Sequence, residues 1–154
     1  MVHKYTAEVI WERGDQVFSD NKYSRKHVLK FDGGIEVQGS SSPFVVPLPY
    51  SVENAIDPEE AFVSSLSSCH MLWFLSIAVK QGFVVDSYHD NAIGIMTMNE
   101  RKKLWVSEVT LNPLVVFSGE KTPTPEGIVR MHDEAHEECF IANSVKSTVR
   151  IISR

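Results

Sequence analysis

Cys69 and Cys139 are the only cysteines in the 154-residue chain, and seventy positions separate them. Each lies on the apolar side of an expected helix. Such a pair can work in redox chemistry: one thiolate attacks a peroxide and becomes a sulfenic acid, and the other condenses with it to a disulfide. The same two residues can instead be small core hydrophobes, the common role of a buried free cysteine. A third arrangement competes for Cys139. His132, His136 and Cys139 fall at i, i+4 and i+7 on one side of a helix, and two histidines at that spacing with a cysteine can ligate zinc. Those histidines equally suit a solvent-facing flank among Asp133, Glu134, Glu137 and Glu138. To act as a nucleophile, Cys69 needs a nearby cation to lower its thiol pKa. His70 points about 100° away around the helix, so that cation has to come from elsewhere in the fold.

The elements that position these residues follow from local sequence. Asp57, Pro58 and Glu60 are an N-cap, a first-turn proline and a capping-box partner, and Gly82 suits the end of the same helix. The apolar run over residues 72–79 predicts burial on nearly all sides. Residues 4–11 alternate, with Tyr5, Ala7, Val9 and Trp11 on one face, which predicts a half-buried strand. Residues 27–37 read as two strands meeting at Gly33-Gly34. Residues 40–56 contain Pro43, Pro47 and Pro49 and form a long loop carrying the apolar side chains of Phe44, Val45, Val46, Leu48 and Tyr50. Long loops of this kind are disproportionately functional. Residues 88–98 and 104–117 read as two long strands around a charged turn. Thr124 and Pro125 open a second helix with an apolar face of Ile128, Met131, Ala135 and Cys139, and Asn143 can cap its end. Residues 145–152 close the chain as a strand. The expected class is α+β: two helices on a largely antiparallel sheet, in a single domain spanning residues 1–154.

Composition narrows the function. The net charge of −5 provides no basic footprint for nucleic acid or an anionic membrane. The N-terminal residues lack the apolar core of a secretory signal, and the most apolar window, residues 71–79, is too short to span a bilayer. The expected location is therefore the cytoplasm, where two cysteines are free, metal-bound or catalytic rather than a structural staple. No G-x-S-x-G, Walker A, G-x-G-x-x-G or CxxC motif is present, which argues against a serine hydrolase, a nucleotide binder or a thioredoxin-type centre.

Two stretches resemble the motifs of the OsmC/Ohr family, the osmotically inducible and organic hydroperoxide resistance proteins. Residues 57–70, D-P-E-E-A-F-V-S-S-L-S-S-C-H, resemble the first-cysteine motif, with Pro-Glu opening the central helix ten residues before the cysteine. Residues 136–144, H-E-E-C-F-I-A-N-S, resemble the second, although Phe140 stands where many members have proline. The order of elements fits the family across nearly the whole chain. The resemblance implies an intertwined homodimer with active sites at the subunit interface. It also implies peroxidase activity on organic hydroperoxides, with an external dithiol as reductant and no metal or other cofactor. Cys69 is then the peroxidatic cysteine and Cys139 the resolving one, with Glu59 as the motif glutamate. Arg25 is the arginine that holds the thiolate, with Arg13 in reserve. An arginine would supply the missing cation, and a carboxylate would orient it.

Glu59 and Cys69 lie ten residues apart, about 15 Å along a straight helix. Either the helix breaks early or Glu59 serves the other subunit. Glu59 also suits the helix N-terminus simply through the helix dipole. Phe44, Leu48, Tyr50, Trp73 and Phe74 are the expected lining of an apolar substrate pocket. Two other functions suit the same residues: a catalytically silent fold that binds a small apolar ligand, and a metal protein using His132, His136 and Cys139.

Overall fold

Asp57 determines where the long helix begins. Its carboxylate accepts a hydrogen bond from the Glu60 backbone N–H at 2.7 Å, and the Glu60 carboxylate accepts one from the Asp57 N–H at 3.1 Å. This reciprocal box starts α1 (Pro58–Lys80), which runs unbroken for 23 residues. Gly82, at φ +76°, ends it in the left-handed region that glycine occupies without strain. The computed structural model describes residues 1–153. The chain forms two units, Met1–Ala61 and the residues from Phe62 onward.

The first unit contains β1 (Ala7–Ile10), β2 (His27–Phe31) and β3 (Glu36–Gly39), paired antiparallel in that order. The expected turn is present: the Gly34 N–H bonds the Phe31 carbonyl at 2.9 Å, with Gly34 at φ +85°. The strand predicted over residues 4–11 is shorter and exposed throughout rather than half-buried. This unit supplies a small sheet, a loop and only the first turn of α1, so little apolar surface is available to cover β1. The loop over residues 40–56 is tied at its base. Ser40 Oγ accepts the Val52 N–H at 2.9 Å, and Gly39 bridges Ile56.

In the second unit, the two long strands predicted around the charged turn are each broken. They become β4 (Val84–Asp90) with β5 (Ile93–Met98), and β6 (Leu104–Leu111) with β7 (Pro113–Ser118). The breaks lie side by side at Asn91 and Asn112. The Asp90 carboxylate accepts the Asn112 N–H at 2.6 Å and the Ser67 hydroxyl at 2.5 Å, while the Asn112 amide donates to the Asn91 carbonyl at 3.1 Å. Local side-chain bonds there replace ladder bonds. The result is two sheets instead of one, β4-β7 and β5-β6-β8, and β8 (Thr148–Ile151) runs parallel to β6.

The second helix, α2 (Pro125–Glu138), begins at Thr124, whose hydroxyl accepts the Gly127 N–H at 3.1 Å. Asn143 does cap its end, donating to the Glu137 carbonyl at 2.7 Å. Two core clusters result. Phe74, Ile77 and Ala78 of α1 meet Met131 and Ala135 of α2, and Leu66 meets Val109 and Leu111 of β6. Gly94 of β5 permits close approach to α1, since a Cβ there would fall 2.6 Å from Val63 Cγ2. The expectation that α1 is buried on all sides over residues 72–79 is not met: Leu72 and Val79 are 62% and 73% exposed. The buried stripe is Leu66, His70, Phe74, Ile77 and Ala78, one face only. By length and composition the whole helix could cross a bilayer, but here that stripe packs against the second unit's sheets and α2.

Candidate active site

The second unit brings the two cysteines together. Both are free thiols, Cys139 buried and Cys69 partly exposed. Cys139 caps the C-terminus of α2, its N–H bonding the His136 carbonyl at 3.3 Å, and its Sγ accepts the Ala142 N–H at 3.4 Å. Burial pushes the Cys139 thiol up to about 11. A hydrogen bond with the Cys69 side chain, and Coulomb interaction with it, act in the same direction; the Ala142 and Ile141 N–H groups act against it. Cys139 therefore keeps its proton at neutral pH, and Cys69 is the sulfur that solutes reach. Phe140 extends outward and meets Trp73 edge-on, with ring centroids 5.5 Å apart.

Beside the thiols are two histidines whose pairing sequence reading did not foresee. His70 Nε2 and His132 Nδ1 share a hydrogen bond at 3.0 Å, and both rings are buried. The flank reading placed His132 in solvent. Instead, its ring stacks on Phe74 at 4.3 Å. Burial holds the His70 imidazole down at about 3, helped by the nearby His132 and His136, and holds His132 at about 4, partly offset by Asp133 and Asp90. The sequence did contain a signal: His132 lies one position from Met131 on the edge of the apolar stripe. Among the described residues, no group of three or more His, Cys, Asp or Glu side chains is placed to hold a metal ion, so His132, His136 and Cys139 do not form the ligand set their spacing allows.

The first unit contains Arg25 and Glu59, which line one cavity of about 490 Å³ together with Val9, Trp11, Phe18, Tyr23, His27, Ser40, Ser41 and Pro58. Arg25 is fixed by its own loop. Its guanidinium donates to the Asn21 carbonyl (2.9 Å), the Asn21 amide oxygen (2.6 Å) and the Tyr23 carbonyl (2.5 Å), and sits 3.9 Å over the Tyr23 ring. Among the described residues no ion pair joins Arg25 to Glu59, and Glu59 Oε2 is buried with no partner. His27 Nδ1–H donates to the Arg25 carbonyl at 2.8 Å, and its ring lies where a Cβ on Gly39 would stand. Arg13 turns to the Gln16 carbonyl at 2.7 Å and is not among the lining residues.

The aromatic wall of this cavity is Trp11, Phe18 and Tyr23, with Phe18 stacked on Tyr23 at 4.6 Å and Trp11 edge-on to it at 5.4 Å. Sequence reading looked for that wall elsewhere. Phe44 and Leu48 are exposed, and Tyr50 is half-buried, with its carbonyl accepting the Arg25 N–H at 2.8 Å. Phe74 is sealed in the helix-helix core, and Trp73 stands beside Phe140. Phe18 and Tyr23 flank a polar turn without alternation, so periodicity could not identify them.

The sequence model described as "OsmC-like protein" matches residues 51–154. Among solved structures, the chain is similar to an OsmC-like protein of unknown function from Vibrio cholerae O1 biovar eltor, with 52% identity over 99% of this chain and 100% of that one and a TM-score of 0.97. It is also similar to an organic hydroperoxide resistance protein from Elizabethkingia anophelis with thiocyanate bound (15% identity, 99% and 95% covered, TM-score 0.72). A third is the organic hydroperoxide resistance protein OhrB of Bacillus subtilis (13% identity, 99% and 98% covered, TM-score 0.68). The last two share the fold. No curated protein matches the chain.

Proposed function

From the premise that the chain belongs to the OsmC-like protein family, we propose that it is a thiol-dependent reductase of organic hydroperoxides. The observation that carries this reading is the proximity of Cys69 and Cys139, close enough for the Cys69 side chain to raise the Cys139 thiol. The Cys69 thiolate attacks the distal peroxide oxygen. The O–O bond breaks, the alkoxide leaves and takes up a proton as alcohol, and Cys69 is left as sulfenic acid. Cys139 then attacks that sulfur. Its thiol proton and the sulfenic hydroxyl leave as water, and the disulfide forms. An external dithiol returns both thiols and is itself oxidised. No metal or other cofactor enters these steps. In the cytoplasm, where we place the protein, reducing dithiols are available.

The cation that activates Cys69 is Arg25 in this reading. The unbroken α1 removes the early-break alternative, and ten residues of helix still separate Glu59 from Cys69, about 15 Å. We therefore propose a homodimer in which the Arg25–Glu59 cavity of one subunit serves the cysteines of its partner. The exposed Val9 and Ile10 of β1 and the exposed Leu72 and Val79 of α1 are apolar surface available for that association. Trp11, Phe18 and Tyr23 would hold the organic group of the peroxide, and the Arg25 donors would meet its oxygens.

The test is consumption of an alkyl hydroperoxide with a dithiol present. Loss of consumption in Cys69→Ser supports the reading, and full activity in that variant refutes it. One observation favours a second reading, a silent binding protein: the cavity beside Arg25 and Glu59 is apolar-walled and large enough for a small ligand. Thiol titration separates the two. A Cys69 that stays unreactive and forms no disulfide after peroxide treatment selects the binder.

A further inference from the structure

His70 immediately follows Cys69 on α1, and His132 lies two turns before Cys139 on α2. We propose that the His70–His132 hydrogen bond is a strut that sets α1 against α2 so that Cys139 Sγ approaches the Cys69 sulfur at bonding geometry. The two histidines are positioning residues; neither touches the peroxide.

Four observations lead there. The bond has ordinary length (3.0 Å) and joins the two helices that carry the thiols. Both rings are fully enclosed and nearly parallel, at 9°, with the His132 ring stacked on Phe74, so neither imidazole can swing away. The rest of this helix contact is Phe74, Ile77, Ala78, Met131 and Ala135. Apolar contact is non-directional and tolerates slide and rotation, whereas a hydrogen bond fixes distance and angle. Finally, the pair is costly as a stability device. His70 Nδ1 and His132 Nε2 are buried with no partner, and an apolar pair of the same volume would avoid that penalty. What the histidines add is a fixed register, and disulfide formation is sensitive to small changes in register.

The bond needs one donor and one acceptor, so both rings have to be neutral. Burial keeps both so: at His132 it acts against Asp133 and Asp90, with Tyr88 also nearby, and at His70 it is reinforced by His132 and His136.

The proposal rests on the Cys69–Cys139 chemistry above, but its test uses no peroxide. The full chain is equilibrated with mixtures of reduced and oxidised glutathione. Each protein disulfide formed converts one oxidised glutathione to two reduced ones, and the midpoint gives the effective concentration of the two thiols for each other. His70→Leu and His132→Leu are expected to lower it about tenfold, the equilibrium weight of one net hydrogen bond. His132→Asn, whose amide reaches the Nδ1 position, is expected to restore it to near wild type. Wild-type values in the Leu variants, or an Asn variant no better than Leu, would overturn the strut. If the Leu variants do not fold, His70→Gln and His70→Asn decide: only Gln reaches the Nε2 position, and equal values for the two refute the proposal. Failure of the peroxidase reading shows separately, as a wild-type disulfide that forms with glutathione but not with alkyl hydroperoxide.

Discussion

Mild acid should destabilise this protein through His70 and His132. In the folded chain these imidazoles are held at about 3 and about 4, chiefly by burial, against an ordinary value of 6.5. Between about pH 6.5 and pH 4 the unfolded chain therefore binds protons that the folded chain refuses. Stability is complete above that window and falls as the pH drops through it, the sign expected for a group whose charged form is disfavoured by folding. Each histidine contributes about 2 kcal/mol of loss between pH 7 and pH 5, so the pair contributes up to about 4 kcal/mol. That is a large share of the total for a domain of this size. The assay is urea unfolding at fixed protein concentration at the two pH values, for wild type and for the double variant His70→Gln/His132→Asn. The variant keeps polar groups of similar reach but cannot titrate, so its stability should change about 4 kcal/mol less between the two conditions. Parallel losses in wild type and variant would refute the linkage and the buried neutral state from which it is derived.

Other outcomes follow from the same geometry. Cys139→Ser should leave a single turnover of peroxide per active site and accumulate Cys69 sulfenic acid, detectable by dimedone labelling; sustained turnover with the same dithiol would exclude Cys139 as the resolving residue. Arg25→Lys should lower kcat/KM for an alkyl hydroperoxide about 100-fold, because a lysine cannot make the forked contacts to Asn21 and Tyr23 that orient the guanidinium. Asp57→Ala removes the cap of α1 and should cost about 1 kcal/mol in a chemical denaturation curve. Met131→Ala opens a hole between the helices and should cost about 2 to 4 kcal/mol in the same assay.

Much of the fold could be read from local signals, and those signals are physical. The Asp57–Pro58–Glu60 cap, the Thr124–Pro125 start, the Asn143 stop and the Gly34 turn each satisfy backbone groups within a few residues, so neighbouring sequence suffices to identify them. The breaks in the long strands could not be read in this way. Asp90 bonds Asn112 across 22 positions and Ser67 across 23, and nothing in either strand's alternation encodes a partner so distant.

The same division runs through the candidate site. Residue types and spacing alone determined the two cysteines and the helices that carry them, while the family resemblance pointed to Arg25 and Glu59 as the charged residues to watch. Tertiary structure alone decided that Cys139 meets Cys69 and keeps its proton, and that Arg25 and Glu59 share a cavity walled by Trp11, Phe18 and Tyr23. It also decided that His132 faces His70 rather than solvent. The reason is that a cap or a turn is satisfied within one turn of chain, whereas a thiol's acidity and an imidazole's charge depend on which distant groups displace water around them.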